Sequence, residues 1–232
     1  MSLRIKPTNS SLDHRSPALL NLVYSLGWEP LTFGVIYHVS YQGTENLDFL
    51  KDHSQEEGCI FLPKHQSGLD IPLVGAGIMS YLKTCPFYLM NDTLPDLLKK
   101  LGGIPITRGK DLQRREEVKI ATERREEVYR EVIKLLKAGE NLVIFPEGTR
   151  RRKSTNIGKG PSKANLLNIL RIQEEAQKQT GNPELRFYLV PVDIVYNSRS
   201  VSINFKPKIK VPNDGLDELV QHLAREVKLF TC

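Results

Sequence analysis

From residue 59 onward, short apolar runs alternate with longer stretches of helical period, and that alternation leaves few folds open. Residues 59–62, 87–90, 104–107, 142–145 and 187–196 read as strands. Residues 71–82, 96–101, 111–138, 162–178 and 214–229 read as helices, with Gly102-Gly103 and Gly139 as stops. Val128, Val132, Leu135 and Leu136 share one face of the longest helix. Residues 201–211 alternate in the manner of an edge strand, and Pro191 inside 187–196 predicts an edge or a bulge there. Strands interleaved with helices predict α/β architecture: one domain, with a central mixed, mostly parallel sheet flanked by helices. The 232 residues suffice for one such core, and no internal repeat or low-complexity tract divides them.

Residues 1–44 read as a separate apolar segment, and 45–232 as the main domain. Within 16–44 the one formal charge is Glu29. A spanning helix needs about 20 mostly apolar residues, and Glu29-Pro30 interrupts this one. No clear signal-peptide pattern is present either. The segment either packs on the core as a helix and a strand, or rests in a membrane interface with Tyr24 and Trp28 at headgroup depth.

Charge separates two further stretches. Residues 110–131 hold seven basic and seven acidic side chains and read as a solvated helix laced with ion pairs, not a nucleic-acid face. Residues 150–163 hold Arg150, Arg151, Arg152, Lys153, Lys159 and Lys163 and no acid, which equals the whole net charge of +6. Such a surplus points to an anionic partner, or else to a basic loop with none. Three cysteines without a close pair exclude a disulfide scaffold and a cysteine-rich zinc module, and fit a reducing compartment.

Four polar or glycine-bearing blocks sit where predicted strands end or run. Lys64-His65-Gln66-Ser67-Gly68-Leu69-Asp70 follows the first, and strand ends are where α/β sheets hold ligands. His65 and Asp70 are five apart and would not share a face of a regular helix. In a loop-to-helix turn they can meet, and the carboxylate would then fix the imidazole as a base. Asp70 before Ile71-Pro72 also reads as an ordinary helix N-cap. Residues 101–108 place two glycines ahead of Arg108, whose guanidinium can fork onto a phosphate or simply face water. Phe145-Pro146-Glu147-Gly148-Thr149-Arg150 runs from a strand into a turn carrying an acid, a hydroxyl and an arginine. Val190-Pro191-Val192 is structural when taken alone.

In this order the blocks resemble those of the glycerolipid acyltransferase family, of the 1-acylglycerol-3-phosphate acyltransferase type, over roughly residues 60–195. His65 and Asp70 match its His-x-x-x-x-Asp block, Gly102 to Arg108 its Gly-x-x-x-x-x-Arg block, and Glu147 to Arg150 its Glu-Gly-Thr-Arg block in full. Lys64 and Pro105 depart from the residues many members carry there.

The resemblance implies acyl transfer from a thioester carrier, acyl-CoA or acyl carrier protein, to a hydroxyl of a glycerol phosphate. Lysophosphatidate is the expected acceptor and glycerol-3-phosphate the alternative. His65 would be the base and Asp70 its orienter; Arg108 and Arg150 would clamp the phosphate, with Lys64 or Lys99 as weaker candidates. Glu147 would brace an arginine or hold a hydroxyl. Backbone near Gly103 or Gly148 would supply oxyanion donors, and Thr149 completes the substrate-binding set. No metal or organic cofactor is implied. Peripheral attachment at the cytoplasmic face of a membrane is expected, each basic side chain of 150–163 adding about 1 kcal/mol against acidic lipid. Two rivals differ in kind: a non-enzymatic binder of nucleic acid or anionic membrane through 150–163, and a hydrolase using Ser67 with His65.

Overall fold

A computed structural model describes residues 10–11, 13–25, 38–51, 58–91, 96–106, 115–147, 163–212 and 215–227. In chain order these form α1 (Pro17–Ser25), β1 (His38–Gln42), a 3-10 helix (Thr44–Leu50), β2 (Cys59–Pro63), α2 (Asp70–Leu82), β3 (Phe87–Asn91), α3 (Asp96–Lys100) and β4 (Gly103–Ile106). Then come α4 (Arg115–Lys137), β5 (Leu142–Val143), α5 (Lys163–Thr180), β6 (Tyr188–Tyr196), β7 (Ser200–Phe205), β8 (Ile209–Lys210) and α6 (Leu216–Val227).

The strands make one mixed sheet in the order β1-β7-β6-β2-β5-β3-β4, with β8 pairing β6 as well. From β6 across to β4 every pairing is parallel. β7 turns back antiparallel to β6, and β1 lies parallel to β7. β2 sits at the centre, and all five of its residues are buried, as expected of a strand covered on both faces. Its side chains alternate between two cores. Cys59 and Phe61 face Leu73, Val74 and Ile78 of α2. Ile60 and Leu62 face α4, α5 and α6 through Val132, Ile133, Ile169, Ile172, Leu219 and Leu223. The result is one α/β domain of helix, sheet and helix layers.

Three local expectations change in this setting. Residues 200–205 are not an edge: β7 has β6 on one side and β1 on the other, a pairing its own period-two pattern cannot reveal. Pro191 is likewise interior, between β2 and the β7–β8 side. Its carbonyl accepts the Lys206 N–H at 2.9 Å, so its nitrogen faces the same side, where β7 has ended and β8 has not begun. The missing donor therefore falls in a gap of the ladder. The run 142–145 pairs as a strand over two residues only, although Ile144 N–H still donates to Phe61 O at 2.9 Å.

The N-terminal stretch packs on the domain where it is described. Leu20 is 2% exposed against Met79, Cys85 and Leu101. Ser16 N–H donates to Lys100 O. Residues 26–37, with Trp28, and most of the basic run 150–163 lie outside the described residues. Among the described residues no helix is long and apolar enough to cross a membrane.

Candidate active site

At the carboxyl end of β2 the chain continues past Lys64, whose N–H donates to Val192 O of β6 at 3.1 Å, into a turn that starts α2. Asp70 is the first residue of α2 and is completely buried. Its carboxylate reaches backward instead of capping its own helix. Oδ2 accepts the N–H of Gln66 at 2.6 Å and of Ser67 at 2.7 Å, and lies 3.0 Å from His65 Nδ1. Oδ1 accepts the Tyr196 hydroxyl at 2.5 Å. The N-cap position falls to Leu69, with no side-chain bond. A buried carboxylate is tolerated when it is fully hydrogen-bonded, and four donors meet that condition.

These bonds set the imidazole. A carboxylate only accepts, so Nδ1 carries the proton and Nε2 keeps its lone pair. The ring packs against Phe145 at 4.4 Å between centroids, tilted by 42°. Phe145 follows β5, the neighbour of β2, and the chain then turns at Pro146-Glu147. Glu147 is buried there. On the other side Gln66 Nε2 donates to Ile194 O of β6 at 3.1 Å. The first, third and fourth blocks thus meet because β5, β2 and β6 are adjacent.

Gly103 is not brought to them. It opens β4 level with Tyr88, hence with Val143 and Phe61, three strands from β2 and four residues short of His65. That is about 14 Å across the sheet and 13 Å along it. Arg108, Gly148, Thr149 and Arg150 lie outside the described residues. Lys99 pairs with Asp96 at 2.7 Å on α3. Ser67 Oγ accepts the Leu69 N–H at 3.2 Å, and among the described residues it makes no hydrogen bond to His65.

Sequence reasoning missed Tyr196, and it gave Gln66 and Phe145 no role although both lie in its blocks. The available signal was period two: Val190, Val192, Ile194 and Tyr196 fall on the β6 face that meets α2. A comparison with family models matches the one described as Acyltransferase over residues 38–195. Among curated proteins, none matches the chain.

Proposed function

We propose, because this chain belongs to the glycerolipid acyltransferase family and is an O-acyltransferase, that it moves a fatty acyl group from a thioester to the free hydroxyl of lysophosphatidate. The observation carrying this reading is the His65 Nδ1–Asp70 Oδ2 contact of 3.0 Å at the carboxyl end of the central strand. An alcohol is a weak nucleophile at neutral pH. His65 Nε2 takes the hydroxyl proton as the oxygen attacks the thioester carbonyl, a form of help worth roughly 10²–10⁴-fold in rate. The tetrahedral intermediate then collapses, the C–S bond breaks, and the imidazolium returns its proton to the departing thiolate.

Asp70 holds the tautomer throughout and favours the imidazolium as it forms. No acyl-enzyme intervenes. Arg108 and Arg150 bind the acceptor phosphate, since guanidinium groups match its oxygens in pairs. Glu147, Gly148 and Thr149 complete the substrate contacts, with Glu147 buried beside the Phe145 turn. The acyl carrier is coenzyme A or acyl carrier protein. The product is more lipophilic than the acceptor, so the enzyme works at an anionic membrane surface as a peripheral protein on the cytoplasmic side.

An assay crossing lysophosphatidate and glycerol-3-phosphate with acyl-CoA and acyl carrier protein tests the substrate assignment. Faster turnover of glycerol-3-phosphate would replace the acceptor named here. His65→Ala should lose at least about 10²-fold in kcat with its melting temperature nearly unchanged. Full turnover by that variant would reject the base assignment.

A further inference from the structure

Tyr196 lies outside the four sequence blocks and one residue past the matched stretch, yet its hydroxyl donates to Asp70 Oδ1 at 2.5 Å, across 126 residues of chain. That is the short end of the range for O–H···O⁻ bonds. We infer that Tyr196 is a positioning residue for the proposed base: it holds Oδ1 so that Oδ2 stays aimed at His65 Nδ1. The inference rests on the reading of His65 as base.

The torsion that turns an aspartate carboxylate is soft and broad. Three donors gather on Oδ2, from His65, Gln66 and Ser67, and leave the plane of the group to be set from the other oxygen. Asp70 is completely buried, so water is not at hand to replace a lost donor on Oδ1. The platform under the tyrosine is rigid. Residues 192–196 pair with 201–205 of β7, and Val192 O and Ile194 O bind Lys64 N–H and Gln66 Nε2 on the other side. The phenol also draws charge from the carboxylate, which weakens its hold on the His65 proton. Among the described residues, the other charged groups on the strands and connections meeting at His65 are Lys64 beside it, Glu147 beyond β5 and Asp193 on β6.

Tyr196→Phe should lower kcat about ten- to a hundredfold, the loss expected for a hydrogen bond to a charged group. KM for both substrates should stay within about twofold. The acid limb of kcat/KM should move to higher pH, because the carboxylate then holds the imidazolium proton more tightly. A merely structural tether predicts a lower melting temperature with kcat and the acid limb unmoved, and that result would overturn the inference. If the Phe variant does not fold, 3-fluorotyrosine at 196 keeps the shape and strengthens the donor. It should shift the acid limb to lower pH, and an unmoved limb would refute the role. An unaffected Tyr196→Phe beside an inactive His65→Ala removes only Tyr196 from the mechanism. An active His65→Ala removes the base and this inference together.

Discussion

Asp70 accepts three donors on one oxygen and one on the other, and these bonds do two things at once. They fold residues 65–67 back onto the start of α2, and they orient an imidazole. Gly103 is a residue of another kind. A Cβ there would stand 2.7 Å from Leu98 O and 2.8 Å from Met90 Sδ, so packing alone requires glycine at that position. Gly103→Ala should therefore destabilise the fold by about 1–3 kcal/mol, as overpacking does, with KM little changed. Urea unfolding beside steady-state kinetics checks this. A raised KM at unchanged stability would instead place substrate against that backbone. The glycine pair is legible in the sequence as a break, but its reason is not, because Leu98 and Met90 reach it only in the folded sheet.

Just ahead of α1, Arg15 adds a buried polar anchor to the apolar contact that Leu20 makes with the domain. Arg15, its side chain 1% exposed, bonds Asp13 at 2.9 Å and Glu140 at 3.0 and 3.1 Å, donates to Cys85 O, and lies 4.0 Å over the Phe87 ring. Removing one partner of a buried pair leaves the other charge stranded, at about 3–5 kcal/mol. Arg15→Ala should cost that much by chemical denaturation, and Arg15→Met combined with Glu140→Gln should recover a good part of it. An Ala variant as stable as the parent would show that the pair contributes nothing. The helical pattern of α1 is readable from its leucines, but the partner 125 residues away is not. The same holds for β7, whose alternation is visible and whose flanking by β1 is not.

Across the whole molecule, burial decides how the fold answers alkali. It pushes the Cys85 thiol up to about 12 from 9.0 and the Cys59 thiol higher still. It also pushes the Tyr129 hydroxyl up to about 12 from 10.0, and raises Tyr88 well above its usual value. Each raised group keeps its proton in the folded protein at a pH where the unfolded chain gives it up. Stability from these groups is complete below about pH 9 and is lost as pH climbs through 9 to 12. Urea midpoints should stay nearly level from pH 7 to 8 and be lower at pH 10.5, while a flat series would contradict the burial of these side chains. At neutral pH, alkylation of Cys59 and Cys85 should proceed at the rate of unfolding.

The local features were written in the chain. Apolar runs and helical periods place nearly all the described strands and helices from residue 59 onward, and the spacing of His65 and Asp70 allows them to meet in a turn. Both follow from the period of side chains along a strand or helix, which each segment carries without its neighbours. Tertiary structure decided the rest: that β5 and β6 flank β2, that Phe145 packs on His65, and that Tyr196 reaches Asp70. Strand order brings together residues far apart in the chain, and no local pattern records which strand will lie beside which. The His65–Asp70 pair was therefore visible in advance, whereas the groups that hold it in place emerged only once the sheet had closed around it.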